Sequence, residues 1–324
     1  GDFYEMFFED AKVASRELEL TLTGRDCGLP ERAPMCGVPF HSAESYIARL
    51  IQKGYKVAIC EQMEDPATAK GLVKRDVIRK ITSGTLLEST MLDEKRNNFI
   101  CAIQWDDTYG AGLCFCDIST GQTQAIEMFG KGLAGAVISE LARFEPSEAV
   151  LSPKAMEQEE VLAFLTKRLS CQIERGEEAD FTEEAGRQWM GKHFEDTPQL
   201  QEDIQGRPML IGAVGGLLSY LHQTQKNDLR QINRLEVYTK AQFMGLDPAA
   251  RRNLELCQVM RSGEKKGSLL WVLDHTRTAM GGRLLRQWLE KPLVNAAQIA
   301  LRQNAVQALL GDRPRRDGVL EGLR

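Results

Sequence analysis

Three segments with the composition of β-strands, separated by short polar turns, constrain the fold of this chain more than any other feature. They cover residues 99–105, 111–118 and 122–128. The first two are rich in β-branched, aromatic and small apolar residues, and the third contains Thr, Ala, Ile and Met among polar residues. Strands this close in sequence pair antiparallel, so the pattern predicts a meander. Alternating helix and strand patterns follow it at 132–143, 148–151, 158–169 and 212–224. A meander followed by alternating helices and strands predicts a ribonuclease-H-like fold.

Different patterns flank this region. After an opening strand, the first segment predicts a helix, a strand, a loop, a second helix and two more strands, at 9–19, 20–23, 24–34, 42–52, 55–60 and 77–82. We expect His41 and Ser42 to cap the second helix, and Gly54 to follow its end. This segment is therefore predicted as an α/β domain with a mixed sheet.

The segment from about Gln231 onwards predicts only helices. Apolar positions recur at helical spacing over 251–260, 269–274, 280–289 and 298–310. The sequence as a whole therefore predicts an α/β multidomain protein with an all-α last part.

The opening residues Phe3, Glu5 and Phe7 share one face of the first predicted strand, because successive side chains in a strand point to opposite sides. An exposed aromatic ring beside a carboxylate could stack on one base and hydrogen-bond its edge. Proteins that kink DNA through the minor groove insert apolar wedges of this kind. The other interpretation is that Phe3 belongs to the core.

Composition limits the other classes of function. The chain has 43% hydrophobic and 27% charged residues, typical of a globular protein, and has no apolar run of the ~20 residues that span a bilayer. Its eight cysteines form no Cys-x-x-Cys pair, so reduced thiols are expected and not a zinc site. The chain begins at Gly1 inside an apolar pattern, and we expect it to be a fragment of a longer protein.

Charge is distributed unevenly along the chain. Residues 101–230 carry 11 basic and 21 acidic side chains, whereas residues 231–324 carry 16 and 9. The middle segment is therefore the poorest candidate for tracking phosphates, and the last segment is a better one.

Asp117 suggests an alternative function of a different class. It ends the second strand of the meander, where a metal-dependent nuclease of this fold would hold its first metal-binding carboxylate. Such chemistry needs several converging carboxylates, and the sequence assigns no others to suitable strand or helix ends. The segment 263–268 also lacks the spacing and the Gly-Lys-Ser/Thr ending of a phosphate loop.

Several blocks of residues, taken in order, resemble the MutS family of DNA mismatch-recognition proteins. They are Gly-Asp-Phe-Tyr-Glu at 1–5, Pro-Met-Cys-Gly-Val-Pro-Phe-His at 34–41, Ala-Ile-Cys-Glu-Gln at 58–62, Asp-Pro-Ala-Thr-Ala-Lys-Gly at 65–71, Asp-Ile-Ser-Thr-Gly at 117–121, Leu-Asp-Pro-Ala-Ala-Arg-Arg-Asn-Leu-Glu at 246–255, Gly-Ser-Leu-Leu at 267–270 and Thr-Ala-Met-Gly at 278–281. Together they cover essentially the whole chain. The family's chain extends upstream of the first block, so part of the first domain is expected to be missing here.

The resemblance implies three domains. They are a mismatch-binding domain over 1–90, a connector domain of ribonuclease-H-like fold without nuclease activity over 91–230, and the start of the helical core or lever domain over 231–324. It implies a non-catalytic DNA-binding fragment with no cofactor of its own. ATP and Mg²⁺ belong to an ATPase domain in the family's C-terminal part. The implied partners are mismatched double-stranded DNA, a second MutS subunit and MutL, in the bacterial cytoplasm at the nucleoid and without a membrane.

The resemblance also assigns site residues. It makes Phe3 the wedge that stacks on the mispaired base, and Glu5 the carboxylate that hydrogen-bonds the displaced base. Further contacts to the DNA backbone or groove are expected among Arg25, Met35, Lys70, Lys74, Arg75 and Arg79. The alternatives are a solvated loop for Arg25, a buried side chain for Met35 and an exposed strand face for the other four. A relative specialised in another branched or kinked DNA is the closest alternative function.

Overall fold

The computed structural model describes residues 2–28, 30–64, 73–87, 91–227 and 229–323. The chain divides into two compact units. The first comprises Gly1–Leu86 and Leu221–Asn227, and the second comprises Leu87–Tyr220 and Asp228–Arg324. The α/β multidomain class predicted from the sequence is confirmed. No helix within the described ranges is long and apolar enough to cross a membrane.

The first unit contains two separate antiparallel sheets. Its elements in chain order are β1 (Phe3–Phe7), α1 (Phe8–Leu18), β2 (Thr23–Arg25), β3 (Ala33–Pro39), α2 (Ala43–Gln52), β4 (Val57–Gln62) and β5 (Arg75–Ile81). The strand order of the larger sheet is β1-β3-β2, and β4 pairs with β5. Ala11, Ala14 and Leu18 lie along one side of α1 and pack with Cys36 of β3. This core covers one face of the larger sheet.

The sheets of the first unit differ from the predicted single mixed sheet. All strand pairs among its described residues are antiparallel, because β3 lies between β1 and β2 and runs against both. The sequence predicted a loop over 24–34, on Gly28, Pro30 and Pro34, and no strand directly after it, so β3 was not predicted. The predicted strand at 20–23 lies later, at Thr23–Arg25.

The cap of α2 also differs in part from the prediction. Ser42 precedes α2, but its hydroxyl donates to the Pro39 carbonyl over 3.3 Å and caps no helical N–H. Gly54 follows the helix with φ of 84°, a conformation that glycine adopts without strain, as expected at a helix end.

The second unit is built on a six-stranded sheet. Its strands are β6 (Ile100–Asp106), β7 (Gly110–Asp117), β8 (Gln122–Met128), β9 (Glu148–Leu151), β10 (Gln172–Arg175) and β11 (Leu235–Val237), in the order β10-β9-β6-β7-β8-β11. The first three form the predicted antiparallel meander, and β9 and β10 continue the sheet parallel to β6. This is the predicted ribonuclease-H-like strand order. The short strands β10 and β11 were not predicted.

Helices cover both faces of this sheet. They are α3 (Leu133–Phe144), α4 (Glu159–Lys167), α5 (Glu183–His193), α6 (Pro198–Ile204) and α7 (Pro208–Gln225). Helices α3 and α4 contribute to a core that includes Cys101, Ile103 and Trp105 of β6. On the other face, α7 passes so close to β7 that a Cβ on Gly112 would lie 1.9 Å from the carbonyl oxygen of Met209. All eight residues of β7 are buried as a result.

The last part of the second unit is helical, as predicted. Its helices are α8 (Pro248–Asn253), α9 (Leu269–Leu273), α10 (Ala279–Glu290), α11 (Ala296–Gly311) and α12 (Arg313–Gly322). The helix predicted over 251–260 ends earlier in the structure, where α8 stops at Asn253. Glu255, just beyond it, adopts φ of 47°, which interrupts the helical conformation. Helix α12 was not predicted, although Asp312 accepts a hydrogen bond from the Arg315 N–H at its start.

Candidate nucleic-acid interface

The uncovered face of the three-stranded sheet carries the residues that the sequence singled out first. In β1, Met6 packs against the core formed by α1 and α2, and Tyr4 lies on the same side of the strand, so Phe3, Glu5 and Phe7 point to the opposite side. The register pairs Phe3 with Pro39 and Glu5 with Gly37 of β3. An aromatic ring and a carboxylate therefore stand two residues apart on an open sheet face.

Phe3 is exposed, and Gly37 leaves space beside it. The Phe3 side chain is 58% exposed, so this ring is not part of the core. A Cβ on Gly37 would lie 3.6 Å from Phe3 Cδ1 and 3.9 Å from Glu5 Cγ. The absence of a side chain at Gly37 keeps the surface between the ring and the carboxylate open.

Glu5 forms an ion pair with Arg25 of β2. Arg25 Nη1 donates to Glu5 Oε2 over 2.5 Å, and the Arg25 guanidinium carbon lies 6.0 Å from the centre of the Phe7 ring. Met35 is half-buried and lies between Phe7 and Thr23 in the register of β1, β3 and β2. The sheet thus brings Arg25 and Met35 close to Phe3 and Glu5, from which they are far apart in sequence.

Tyr4 lies on the covered side, in agreement with the packing role expected from its position in the pleat. Its hydroxyl donates to Glu61 Oε1 of β4 over 2.5 Å. Burial and this carboxylate raise the pKa of Tyr4 to about 12. The phenol therefore stays protonated at neutral pH and ties β1 to β4.

Phe40 is an exposed aromatic residue that sequence reasoning did not select. Its side chain is 62% exposed, and its backbone N–H donates to the Asp2 carbonyl over 2.9 Å. Phe40 therefore follows the sheet at the same end as Phe3. The sequence did not predict that the Phe40 side chain is exposed, because an aromatic residue in a loop after Pro39 is usually packed against its neighbours.

The basic residues of the first unit divide into two kinds. Lys74 and Arg75 are exposed at the start of β5. Arg79 is partly buried, donating from Nε to Gln225 Oε1 over 3.1 Å and from Nη2 to the Thr85 carbonyl over 3.0 Å. These bonds use Arg79 to hold the end of α7 against β5. Lys70 lies outside the described residues.

Asp117 is buried and engaged in a turn. Asn97 donates to its Oδ2 over 2.6 Å, and the Ser119 backbone N–H and hydroxyl donate to Oδ1 over 3.0 and 2.6 Å. Its carboxylate stabilises the turn after β7. In the described ranges, no three His, Cys, Asp or Glu side chains are grouped so that they could hold a metal ion. The described residues therefore give no support to the nuclease interpretation.

Three family models match the chain in order. The model described as MutS domain I matches residues 1–90, MutS domain II matches 98–233, and MutS domain III matches 249–324. Together they cover most of the chain.

Curated proteins resemble the chain over nearly all of its length. It is 51% identical over 306 residues to the DNA mismatch repair protein MutS of Acetivibrio thermocellus, covering 94% of the chain and 35% of that protein. The chain is 48% identical over 309 residues to the protein of the same name from Ruminiclostridium cellulolyticum, and the match covers 95% of the chain and 35% of that protein. It is 47% identical over 327 residues to the Clostridium perfringens protein of that name, and the match covers 100% of the chain and 34% of that protein. The chain thus spans about a third of the length of these relatives.

Proposed function

Because the chain belongs to the MutS family, we propose that its first unit recognises mispaired DNA with the open face that carries Phe3 and Glu5. The proteins it resembles are named for DNA mismatch repair, and we propose the same process for this one. The observation that carries the proposal is an exposed aromatic ring beside a carboxylate on an uncovered sheet face.

Phe3 is proposed to enter the minor groove and stack on the mispaired base. Unstacking a base step costs a few kcal/mol, and it costs less where pairing is already faulty. The kink is then cheaper at a mismatch than in matched duplex, so deformability supplies the discrimination. The minor groove offers a degenerate pattern of donors and acceptors, which suits a reader that accepts many mispairs.

Glu5 is proposed to hydrogen-bond the displaced base. Its neighbour Gly37 leaves room for a base edge between the Phe3 ring and the carboxylate. A carboxylate close to phosphates also disfavours matched duplex, because that duplex offers no unpaired edge to offset the repulsion. Arg25 reduces this repulsion by pairing with Glu5, and Met35 is proposed to rest against the groove.

Backbone contacts are proposed for Lys74 and Arg75, which are exposed. Lys70 remains a proposed contact on the sequence alone. Arg79 is the weakest of these candidates, because its guanidinium already holds Gln225 and Thr85. Phosphate contacts of this kind set orientation and affinity, whereas Phe3 and Glu5 would set the preference for a mispair.

We also propose how this part serves a larger assembly. The domains are assigned to 1–90, 91–230 and 231–324, and we propose that this part binds DNA and transmits the binding event without catalysing a reaction. In this proposal ATP and Mg²⁺ act in another part of the family protein. A second MutS subunit and MutL are the proposed protein partners, in the cytoplasm at the nucleoid.

The test is binding to labelled duplexes at fixed salt, one with a G·T mispair, one with an unpaired T and one fully matched. The chain and the complete protein that contains it are both measured, each as wild type and as Phe3→Ala. Phe8→Ala is the matched control, because Phe8 is 53% exposed in the same unit but lies in α1.

We expect Phe3→Ala to reduce mispair affinity about thirtyfold, the loss typical of an interface hot spot of about 2 kcal/mol. Affinity for matched duplex should stay within about twofold, and Phe8→Ala should behave as wild type. Equal binding of matched and mispaired duplexes by the wild-type complete protein would contradict the proposed function. A mispair preference that survives Phe3→Ala would contradict the wedge.

A further inference from the structure

Two buried cations share one group of aromatic rings in the second unit. Arg143 of α3 is 7% exposed and Lys291, just after α10, is 6% exposed. The Arg143 guanidinium carbon lies 4.8, 4.6 and 5.7 Å from the ring centres of Phe144, Tyr238 and Phe243. Lys291 Nζ lies 4.2, 5.4 and 5.9 Å from the same three centres. Two basic side chains are thus held close together away from bulk water.

The neighbouring carboxylates do not fully compensate these charges. Glu140 lies 2.5 Å from Arg143 Nη2 and also accepts from the Tyr238 hydroxyl. Arg143 Nη2 has this ion-pair contact, whereas Arg143 Nε has no hydrogen-bond acceptor among the residues that the structure describes. Lys291 Nζ donates to the neutral amide oxygen Gln124 Oε1 over 2.5 Å, and no described carboxylate pairs with it. A buried N–H without an acceptor destabilises the fold.

Both cations line a small cavity of about 30 Å³, which is the space of one water molecule or one halide ion. The other charged residues that line it are Arg96, Arg283, Arg286, Glu145 and Glu290. Glu145 is paired with Arg96 over 2.5 Å, and Glu290 with Arg286 over 3.1 Å. After these two pairs and the pair of Arg143 with Glu140, Lys291 and Arg283 are the basic residues of the wall with no carboxylate partner among the described residues, so the wall keeps a surplus of positive charge.

We propose that this cavity binds one small monovalent anion of halide size, held by Arg143 and Lys291. An anion offers acceptor capacity to several N–H groups at once and neutralises the surplus charge where the dielectric constant is low. A water molecule satisfies donors but leaves that charge uncompensated. The site concerns the second unit alone and stands whether or not the first unit binds mispaired DNA.

Anion binding should be linked to the proton of Lys291. Burial, and then the charge of Arg143, lower the pKa of Lys291 to about 7. The charged and titratable groups that face it are Arg143, Glu140, Tyr238, Glu236, Lys240, Arg286 and Glu290. A bound anion favours the charged ammonium, so the site should bind more tightly below pH 7 than above it.

The direct test is a crystal of the chain soaked in sodium bromide at pH 6 and measured at the bromine absorption edge. An anomalous peak in the cavity, within hydrogen-bond distance of Arg143 and Lys291, is expected. A water molecule at that position, or no bromide peak there, would overturn the proposal. This measurement uses the wild-type chain and does not depend on a variant that folds.

The solution test compares sodium bromide with sodium methanesulfonate, a larger monovalent anion, at constant ionic strength. Bromide should raise the midpoint of thermal unfolding of the wild-type chain by about 2 °C and saturate. Lys291→Met should abolish this increment. Lys192→Met is the control, because Lys192 also stands 4.2 Å from an aromatic ring centre, that of Trp189, outside the cavity. An increment that is equal in Lys291→Met and wild type would overturn the site.

Discussion

The three-stranded sheet of the first unit and the six-stranded sheet of the second differ in how many of their faces are covered. The six-stranded sheet is packed on both sides, and every residue of β7 is buried. Among the described residues, the three-stranded sheet is packed against α1 on one side and leaves Phe3 and Glu5 exposed on the other. The first sheet can therefore present side chains to a partner, whereas the second fixes the positions of what packs around it.

The same kind of residue has opposite consequences in the two sheets. Gly112 of β7 and Gly37 of β3 both lack a side chain where a Cβ would meet neighbours. At Gly112 the neighbour is the backbone of α7, so the glycine serves the fold. At Gly37 the nearest side chains are Phe3 and Glu5, so the glycine serves the open surface.

Gly112→Ala gives the largest expected effect. Its Cβ would lie 1.9 and 2.2 Å from the Met209 carbonyl oxygen and carbon, and backbone atoms cannot move aside without displacing α7. We expect the free energy of unfolding to fall by about 3 kcal/mol or more, measured by urea denaturation. Gly135→Ala in α3 is the control, since nothing lies within 4 Å of its Cβ, and it should stabilise by up to about 1 kcal/mol. Similar stability of the two variants would break the comparison.

The second largest effect is the change in unfolding free energy with pH that Lys291 causes. The structure lowers its pKa from 10.5 to about 7. Between pH 6 and 8 the folded chain loses this proton and the unfolded chain keeps it, so this group makes the fold more stable as the pH rises. The gain over that interval is about 1.4 kcal/mol in halide-free buffer, measured as the difference in unfolding free energy between wild type and Lys291→Met. A difference that is constant with pH would show that Lys291 does not titrate there.

Local patterns predicted most of the second unit's sheet. Strands 122–128 and 148–151 were predicted with the bounds observed, because turn residues delimit β8 and β9 in the sequence. Strand β3 was not predicted, because Gly28, Pro30 and Pro34 indicated a loop over 24–34. The burial of Lys291 could not be predicted either, since a lysine looks like a surface residue and its surroundings come from distant elements.

The candidate site shows the same limit. That Phe3 and Glu5 share a face follows from their spacing alone. Whether that face is open, and which residues lie beside it, depends on strand order and register. Gly37 and Arg25 meet Glu5 only because β3 lies between β1 and β2. Pairings of this kind are set by the tertiary fold and are absent from any short stretch of sequence.

Gly37→Ala should separate folding from binding in the open sheet. Its Cβ would lie 3.1 Å from the Tyr4 carbonyl oxygen, so the strands must shift by a few tenths of an ångström. We expect a stability loss of no more than about 1 kcal/mol. The methyl group would crowd Phe3 and Glu5 and weaken mispair binding about fivefold, with matched duplex unaffected. A large loss of stability here, as at Gly112, would mean that this face is also structural.

The smallest effect concerns the ion pair between Glu5 and Arg25, tested by a double-mutant cycle with Glu5→Ala and Arg25→Ala. Both side chains are substantially exposed, so their coupling in unfolding free energy should stay below about 0.5 kcal/mol. In mispair binding a coupling of similar size should appear if Arg25 orients the carboxylate that is proposed to meet the base. Lys12 and Glu9, an exposed pair on α1, serve as the control and should show no coupling in binding. If Arg25 only contacts phosphate, Arg25→Ala will weaken matched and mispaired duplexes equally, and its effect will add to that of Glu5→Ala.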